Sequence, residues 1–418
     1  MLNNDDGTLR GVAWTELFPW LSIFQTFRLA ISIKSLAMAA VAIFLTFAGW
    51  AMIGCLFGGD GDNPSARLMV GCDSCPGDTL SRLVPDKPYI PGVIGEPSGV
   101  EAARGATPVG PWATLSGPMR EAFFGEDVTT RRVACFLLAG LWSLAIWAFF
   151  GAAISRIAAV QLAAGEHIGL WPAMRYACSK WKAYFSAPLL PVIGVLIATV
   201  PLCLLGLAVR SDIGALLMGI IWPLFLLAGL LMTVLLLGLL FGWPLMWSTI
   251  SCEGSDSFDA LSRSYAYVYQ KPLHYLFYII VATLFGALGW LLVSNFAAGV
   301  VSMTYWAVAW GCGNDRIAEL ATGADSLGTL GSAGSSVILF WTGCVKLLAV
   351  GFLYSYFWTA STAIYLLLRR DTDATEMDEV YLDEDESEAV YDLPPIEKDE
   401  SGAPVVKDDK PEETPEEE

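Results

Sequence analysis

Six stretches of this chain are apolar for about as long as, or longer than, the roughly 20 residues that carry an α-helix across a bilayer. They lie at about 35–57, 133–158, 186–209, 213–247, 274–309 and 336–368. Only 16% of the residues are charged and 55% are hydrophobic, too little charge to coat a soluble domain. The expected fold class is therefore an all-α integral membrane protein with about six transmembrane helices. Sixteen tryptophans fit that reading, because indole rings favour the membrane–water interface. Three runs exceed the length of one crossing. The fourth holds Pro223 and Pro244, and the fifth could break near Asn295, so seven or eight crossings are the alternative count.

Orientation follows from Lys and Arg in the short flanks. Arg10, Arg28 and Lys34 precede the first run; Arg156, Arg175, Lys180 and Lys182 follow the second; Arg263 and Lys271 follow the fourth; Arg369 and Arg370 follow the sixth. The opposite links hold Arg210 and Arg316. Six crossings with both termini in the cytoplasm satisfy all of these flanks. The 58–132 loop carries seven basic residues, but a loop of that length crosses regardless of charge. Asp5, Asp6 and Glu16 stand where a signal peptide would need bases, so no cleaved signal is expected.

The net charge of −18 is local. Residues from Asp371 to Glu418 hold 21 acids and three lysines, which leaves the rest of the chain neutral. A neutral body argues against broad nucleic-acid binding, which needs a basic face. The acidic tail cannot bury enough apolar surface to fold alone, and disorder is expected there. Tyr381-Leu382, Val390-Tyr391 and Leu393-Pro-Pro-Ile396 are apolar spots within it, of the kind that fold on a partner.

A pattern recurs before the odd-numbered spans. Trp14, Leu17, Leu21, Phe24 and Phe27 fall at helical spacing, as do Leu170, Met174, Ala177, Trp181 and Tyr184, and again Phe258, Leu261, Tyr265 and Val268. Each stripe predicts an amphipathic helix in the headgroup plane. Three repeats of one such helix plus two spans would cover about 14–158, 169–250 and 256–368. The resulting segmentation is an N-terminal cytoplasmic segment 1–34, spans 35–57 and 133–158 around a Gly/Pro-rich outer loop 58–132, and an amphipathic helix within 159–185. Spans 186–209 and 213–247 follow, then an amphipathic helix within 250–273, span 274–309, outer loop 310–335, span 336–368 and tail 369–418. Within the first loop, 113–124 is compatible with a short helix.

Few residues point to chemistry. Cys72-Asp-Ser-Cys75 falls in the expected outer loop, where an oxidising compartment favours a disulfide between Cys72 and Cys75. Cys55 and Cys312 could complete a four-thiolate zinc set, the lesser alternative. No Asp or Glu lies inside any of the six runs, which removes the buried carboxylate of a coupled carrier. Lys346 lies about ten residues into the sixth run. It can snorkel to the interface, or act as a counter-ion beside a cavity. No phosphate-binding loop, zinc-protease helix, nucleophile elbow or dinucleotide fingerprint is present. No cofactor is expected. Gly238-Leu-Leu-Phe-Gly242 permits close packing of helices, most simply within this chain.

One short segment carries a likeness to other proteins. Asp259, Ala260, Leu261, Arg263, Ser264 and Tyr265 stand just before an apolar run. The arrangement resembles the acidic-Ala-Leu-x-Arg-Ser-aromatic signature of a loose bacterial group, the uncharacterised YciC-like proteins and the membrane domains fused to glycerophosphodiester phosphodiesterases. Ala173, Met174 and Arg175 give a weaker second match. The resemblance implies a bacterial, helical, multi-pass domain of unsettled role over about 130–368; the expected location of the chain is the cell (inner) membrane. The resemblance leaves the 58–132 loop and the tail unexplained, and the phosphodiesterase catalytic domain is missing.

These readings favour a non-enzymatic membrane scaffold or adaptor whose partners are membrane lipids and a cytoplasmic protein bound by the tail. The rival is passage or reorganisation of a lipid or apolar solute through the bundle. A membrane-lipid enzyme ranks third. No sequence feature requires oligomerisation.

Overall fold

Inside hydrocarbon every backbone N–H and C=O must be satisfied within its own segment, so the apolar runs fold as helices. A computed structural model describes residues 18–57, 110–124, 129–165, 167–322 and 328–382, and all regular structure among them is helical. A 3-10 turn at Pro19–Phe24 leads into α1 (Gln25–Ala30) and α2 (Ile33–Phe57). Next come α3 (Gly110–Phe124), α4 (Thr130–Ala163), α5 (Leu170–Ser179), α6 (Trp181–Ser186) and α7 (Leu189–Gly206). After a 3-10 turn at Leu207–Arg210 follow α8 (Asp212–Ile220), α9 (Trp222–Glu253), α10 (Ser257–Gln270), α11 (Pro272–Cys312), α12 (Asn314–Thr322) and α13 (Thr329–Asp373). Among the described residues six helices are long and apolar enough to cross a membrane: α2, α4, α7, α9, α11 and α13.

The boundaries have local causes. The fourth apolar run is divided at Ile221. Ser211 caps α8 by accepting the Gly214 amide at 3.1 Å, and Pro223 stands in the first turn of α9, where its missing N–H costs nothing. Gly254 closes α9 at φ +64, a left-handed position that glycine takes without strain. α11 passes Asn295 unbroken, and the side-chain amide of Asn295 donates to the Leu291 carbonyl at 2.6 Å. α12 lies within the segment expected to be the second outer loop.

The core lies where α4, α9 and α13 meet. The rings of Trp247 and Trp358 stack at 4.4 Å, and Trp147 stacks on Tyr354 at 4.9 Å. Gly151 makes the room: a Cβ there would stand 2.8 Å from Trp247 and 2.9 Å from Trp358.

Short helices precede the first, third and fifth spans, and all three pack against the bundle. The face of α10 that packs on the bundle overlaps the apolar stripe only in part. Ala260, Ser264, Tyr267 and Val268 are buried, whereas Phe258 is 71% exposed. Small side chains on that face let α10 approach α9 closely.

The last span also differs from its expected limit. α13 stays helical to Asp373, and residues 374–382 turn back under the bundle, with Met377, Val380 and Leu382 packed on the core. Residues 383–418, most of the expected acidic tail, lie outside the described residues.

Candidate functional site

Pro244 sits inside α9 and has no amide hydrogen. The carbonyl four residues earlier, Leu240, therefore loses its helical donor. The indole N–H of Trp112 donates to that carbonyl at 3.2 Å. Leu240 is near the middle of α9, so α3 reaches into the spans. The sequence places 58–132 in an outer loop; the part described at Gly110–Phe124 is a helix laid along α4. Glu121 pairs with Arg132 at 3.2 Å, and a Cβ on Gly140 would meet Met119 at 3.1 Å. The order of these pairs makes α3 and α4 antiparallel.

Between α3, α4, α7 and α9 opens a cavity of about 640 Å³, within the range of sites that hold small molecules. Its walls are apolar: Leu115 and Met119, Leu144 and Trp147, Val192 and Leu196, Leu236, Leu240 and Trp243. Ser116, Ser143, Thr233 and Arg120 supply the side-chain polarity. The three hydroxyls are spent within their own helices, on the carbonyls of Trp112, Ala139 and Gly229. A second cavity of about 260 Å³ lies between α9, α11 and α13. Trp112 and Leu240 line both, so their hydrogen bond forms part of the wall between them.

A polar cluster occupies the end of the bundle where α9 stops. Arg156 is fully buried; it donates to the carbonyls of Ser251 at 2.5 Å and Tyr381 at 2.7 Å and lies 4.1 Å over the Tyr176 ring. Glu253 accepts from Tyr365 at 2.5 Å and pairs with Arg263 at 2.8 Å. Arg369 is 3.9 Å from Glu253 and donates to the carbonyls of Glu376 and Glu379. Lys180 donates to the Gly254 carbonyl at 2.6 Å. Burial pushes the Tyr184 hydroxyl well above its ordinary value, with Tyr176 beside it and Ser251 as its hydrogen-bond partner. These bonds tie down the ends of helices and the returning chain.

The residues singled out in the sequence divide clearly. Asp256 caps α10 by accepting the Asp259 amide at 2.9 Å, and Asp259 lies 3.7 Å from Arg263. Ala260 is fully buried and Leu261 packs on the core. Ser264 is buried, donates to the Ala260 carbonyl at 2.6 Å and lies 3.4 Å from the Thr249 hydroxyl. Tyr265 covers Gly238 and Gly242 and donates to the Leu235 carbonyl at 2.6 Å. The signature and the glycine pair are thus two halves of one helix contact. Lys346 is half-buried in α13 and lines neither of these two cavities. Cys72 and Cys75 lie outside the described residues. Trp112 and Arg120 were not singled out by sequence, although Pro244 marked the carbonyl that Trp112 takes.

Compared with protein-family models, curated proteins and solved structures, the chain matches none.

Proposed function

We propose that this chain is a multi-pass protein of a bacterial cell membrane that holds the acyl chain of a membrane lipid in the cavity between α3, α4, α7 and α9, without a catalytic step. Both termini face the cytoplasm, by the Lys and Arg of the flanks. The observation that carries the reading is the apolar lining of about 640 Å³ that α3 shares with three spans. Along α9 the lining runs from Thr233 to Trp247, about 21 Å of helix axis. That length suits an acyl chain better than a small solute. α7, one wall, buries only Pro191 among its own residues, so the cavity is flanked by a helix whose other surface faces the bilayer.

The test is the lipid retained when the full chain is extracted in mild detergent. Mass spectrometry should find lipid bound to the intact protein. Leu236→Trp should displace it while leaving the helical circular-dichroism signal unchanged. Lipid retained equally by the filled variant would overturn the reading.

A second reading, the adaptor, is favoured by the clasp on residues 374–382. Arg156 and Arg369 fix the root from which the acidic tail leaves the bundle. Proteins captured by the full chain and lost on truncation after Leu382 would support it. Identical captures would remove it.

A further inference from the structure

We infer that the occupant of the lateral cavity is a glycerophospholipid whose phosphate sits on Arg120. The inference rests on the acyl-chain reading of that cavity and adds the headgroup. Trp112, Leu115, Ser116, Met119 and Arg120 all line it, a spacing that presents one face of α3. Arg120 is the only charged residue in the lining. The acid next to it is committed elsewhere, since Glu121 pairs with Arg132. No ion pair to Arg120 is found among the described residues.

The chemistry narrows the partner. Arg120 is exposed beside that apolar wall and makes no ion pair among the described residues, so its guanidinium is open to an anionic partner. Its planar fork matches two oxygens of one phosphate. The position narrows it further. The Glu121–Arg132 pair joins the last turn of α3 to the first turn of α4, at the end of a span. α4 has 34 residues, about 51 Å of helix axis, longer than the hydrocarbon core, so its ends reach the headgroup level. A phosphate held there would leave its acyl chain to run along Met119, Leu236 and Trp243. A free phosphate would use the arginine and leave the apolar wall empty, so the charge and the wall together specify a lipid.

The test uses the full chain in detergent, with bromine-labelled acyl chains quenching the cavity tryptophans. Two probes share the same chains: phosphatidylglycerol, which has the phosphate, and diacylglycerol, which lacks it. The wild type should bind phosphatidylglycerol more tightly than diacylglycerol. Arg120→Gln should weaken phosphatidylglycerol by about tenfold, the loss of one charge-assisted contact, and leave diacylglycerol unchanged. Arg120→Lys, which keeps charge without the fork, should fall between. Leu236→Phe combined with Leu196→Phe, which fills the cavity without adding an indole, should abolish quenching by both. If Arg120→Gln changes phosphatidylglycerol by less than about twofold while the double phenylalanine variant still abolishes quenching, the headgroup assignment falls and the cavity reading stands. If the double phenylalanine variant leaves quenching intact, both fall. Displacement of the labelled lipid by inorganic phosphate alone would overturn the lipid assignment in favour of a free anion.

Discussion

The indole N–H of Trp112 donates to the carbonyl of Leu240 at 3.2 Å, across 128 positions of sequence, and stands in for the amide that Pro244 lacks. Trp112→Phe keeps the ring and removes the bond. A net hydrogen bond of this kind is worth about 1 kcal/mol. Pro244→Ala returns an amide to the helix and satisfies Leu240 internally, so Trp112→Phe should then cost much less. Unfolding in mixed micelles of the two single variants and the double variant measures the coupling. Equal costs of Trp112→Phe in both backgrounds would show that the indole bond does not compensate for the proline.

Two glycines on spanning helices should respond in opposite ways. A Cβ at Gly238 would lie 2.6 Å from the Tyr265 ring, whereas nothing lies within 4 Å of one at Gly299. Gly238→Ala should therefore destabilise by about 1–3 kcal/mol through overpacking. Gly299→Ala should be neutral or stabilising by up to about 1 kcal/mol, since alanine is the better helix former. Tyr265→Ala should relieve the cost at Gly238, which a non-local effect of that substitution would not allow.

The spans were legible because a bilayer reads composition: a run of twenty apolar residues has few other fates. The seat of α3 was not, since Gly110–Phe124 is too short to cross and its partner is a carbonyl exposed by a proline in a distant helix. The apolar stripe of α10 did not mark its whole contact with the bundle: Ala260 and Ser264 are buried there beside Val268, because helix contacts in lipid select for small side chains. The cavity is a gap between four helices and leaves no mark on any one of them. Arg120 was one of seven bases in a long loop until α3 placed it on the cavity wall.

Tyr267 should make stability sensitive to alkali. Its hydroxyl donates to Asp373 at 2.5 Å, and burial, followed by that hydrogen bond, raises its pKa. A tyrosine raised in the folded state contributes fully below its unfolded value of about 10, and its contribution drains away as pH climbs through the folded value. Wild type should thus lose stability more steeply than Tyr267→Phe as pH rises above about 10, with tyrosinate absorbance rising in step. Parallel losses in the two proteins would assign the alkaline transition to other groups.

Arg156 should govern the attachment of residues 374–382. One of its nitrogens holds the Tyr381 carbonyl, and the Tyr381 amide in turn donates to the Cys252 carbonyl at 2.8 Å. The Tyr381 ring fills the space beside Gly254, where a Cβ would meet it at 2.8 Å. Arg156→Gln is too short to reach both Ser251 and Tyr381. A hydrogen bond from a charged donor contributes about 1.5–3 kcal/mol, so protection of the Tyr381 amide from hydrogen exchange should fall by about tenfold or more. Lys180→Met is the comparison, because it removes the neighbouring bond to the Gly254 carbonyl without touching Tyr381. Protection there should hold. If both variants exchange like wild type, the returning chain is held by Arg369 through the Glu376 and Glu379 carbonyls, and Arg156 serves only to close the end of α9.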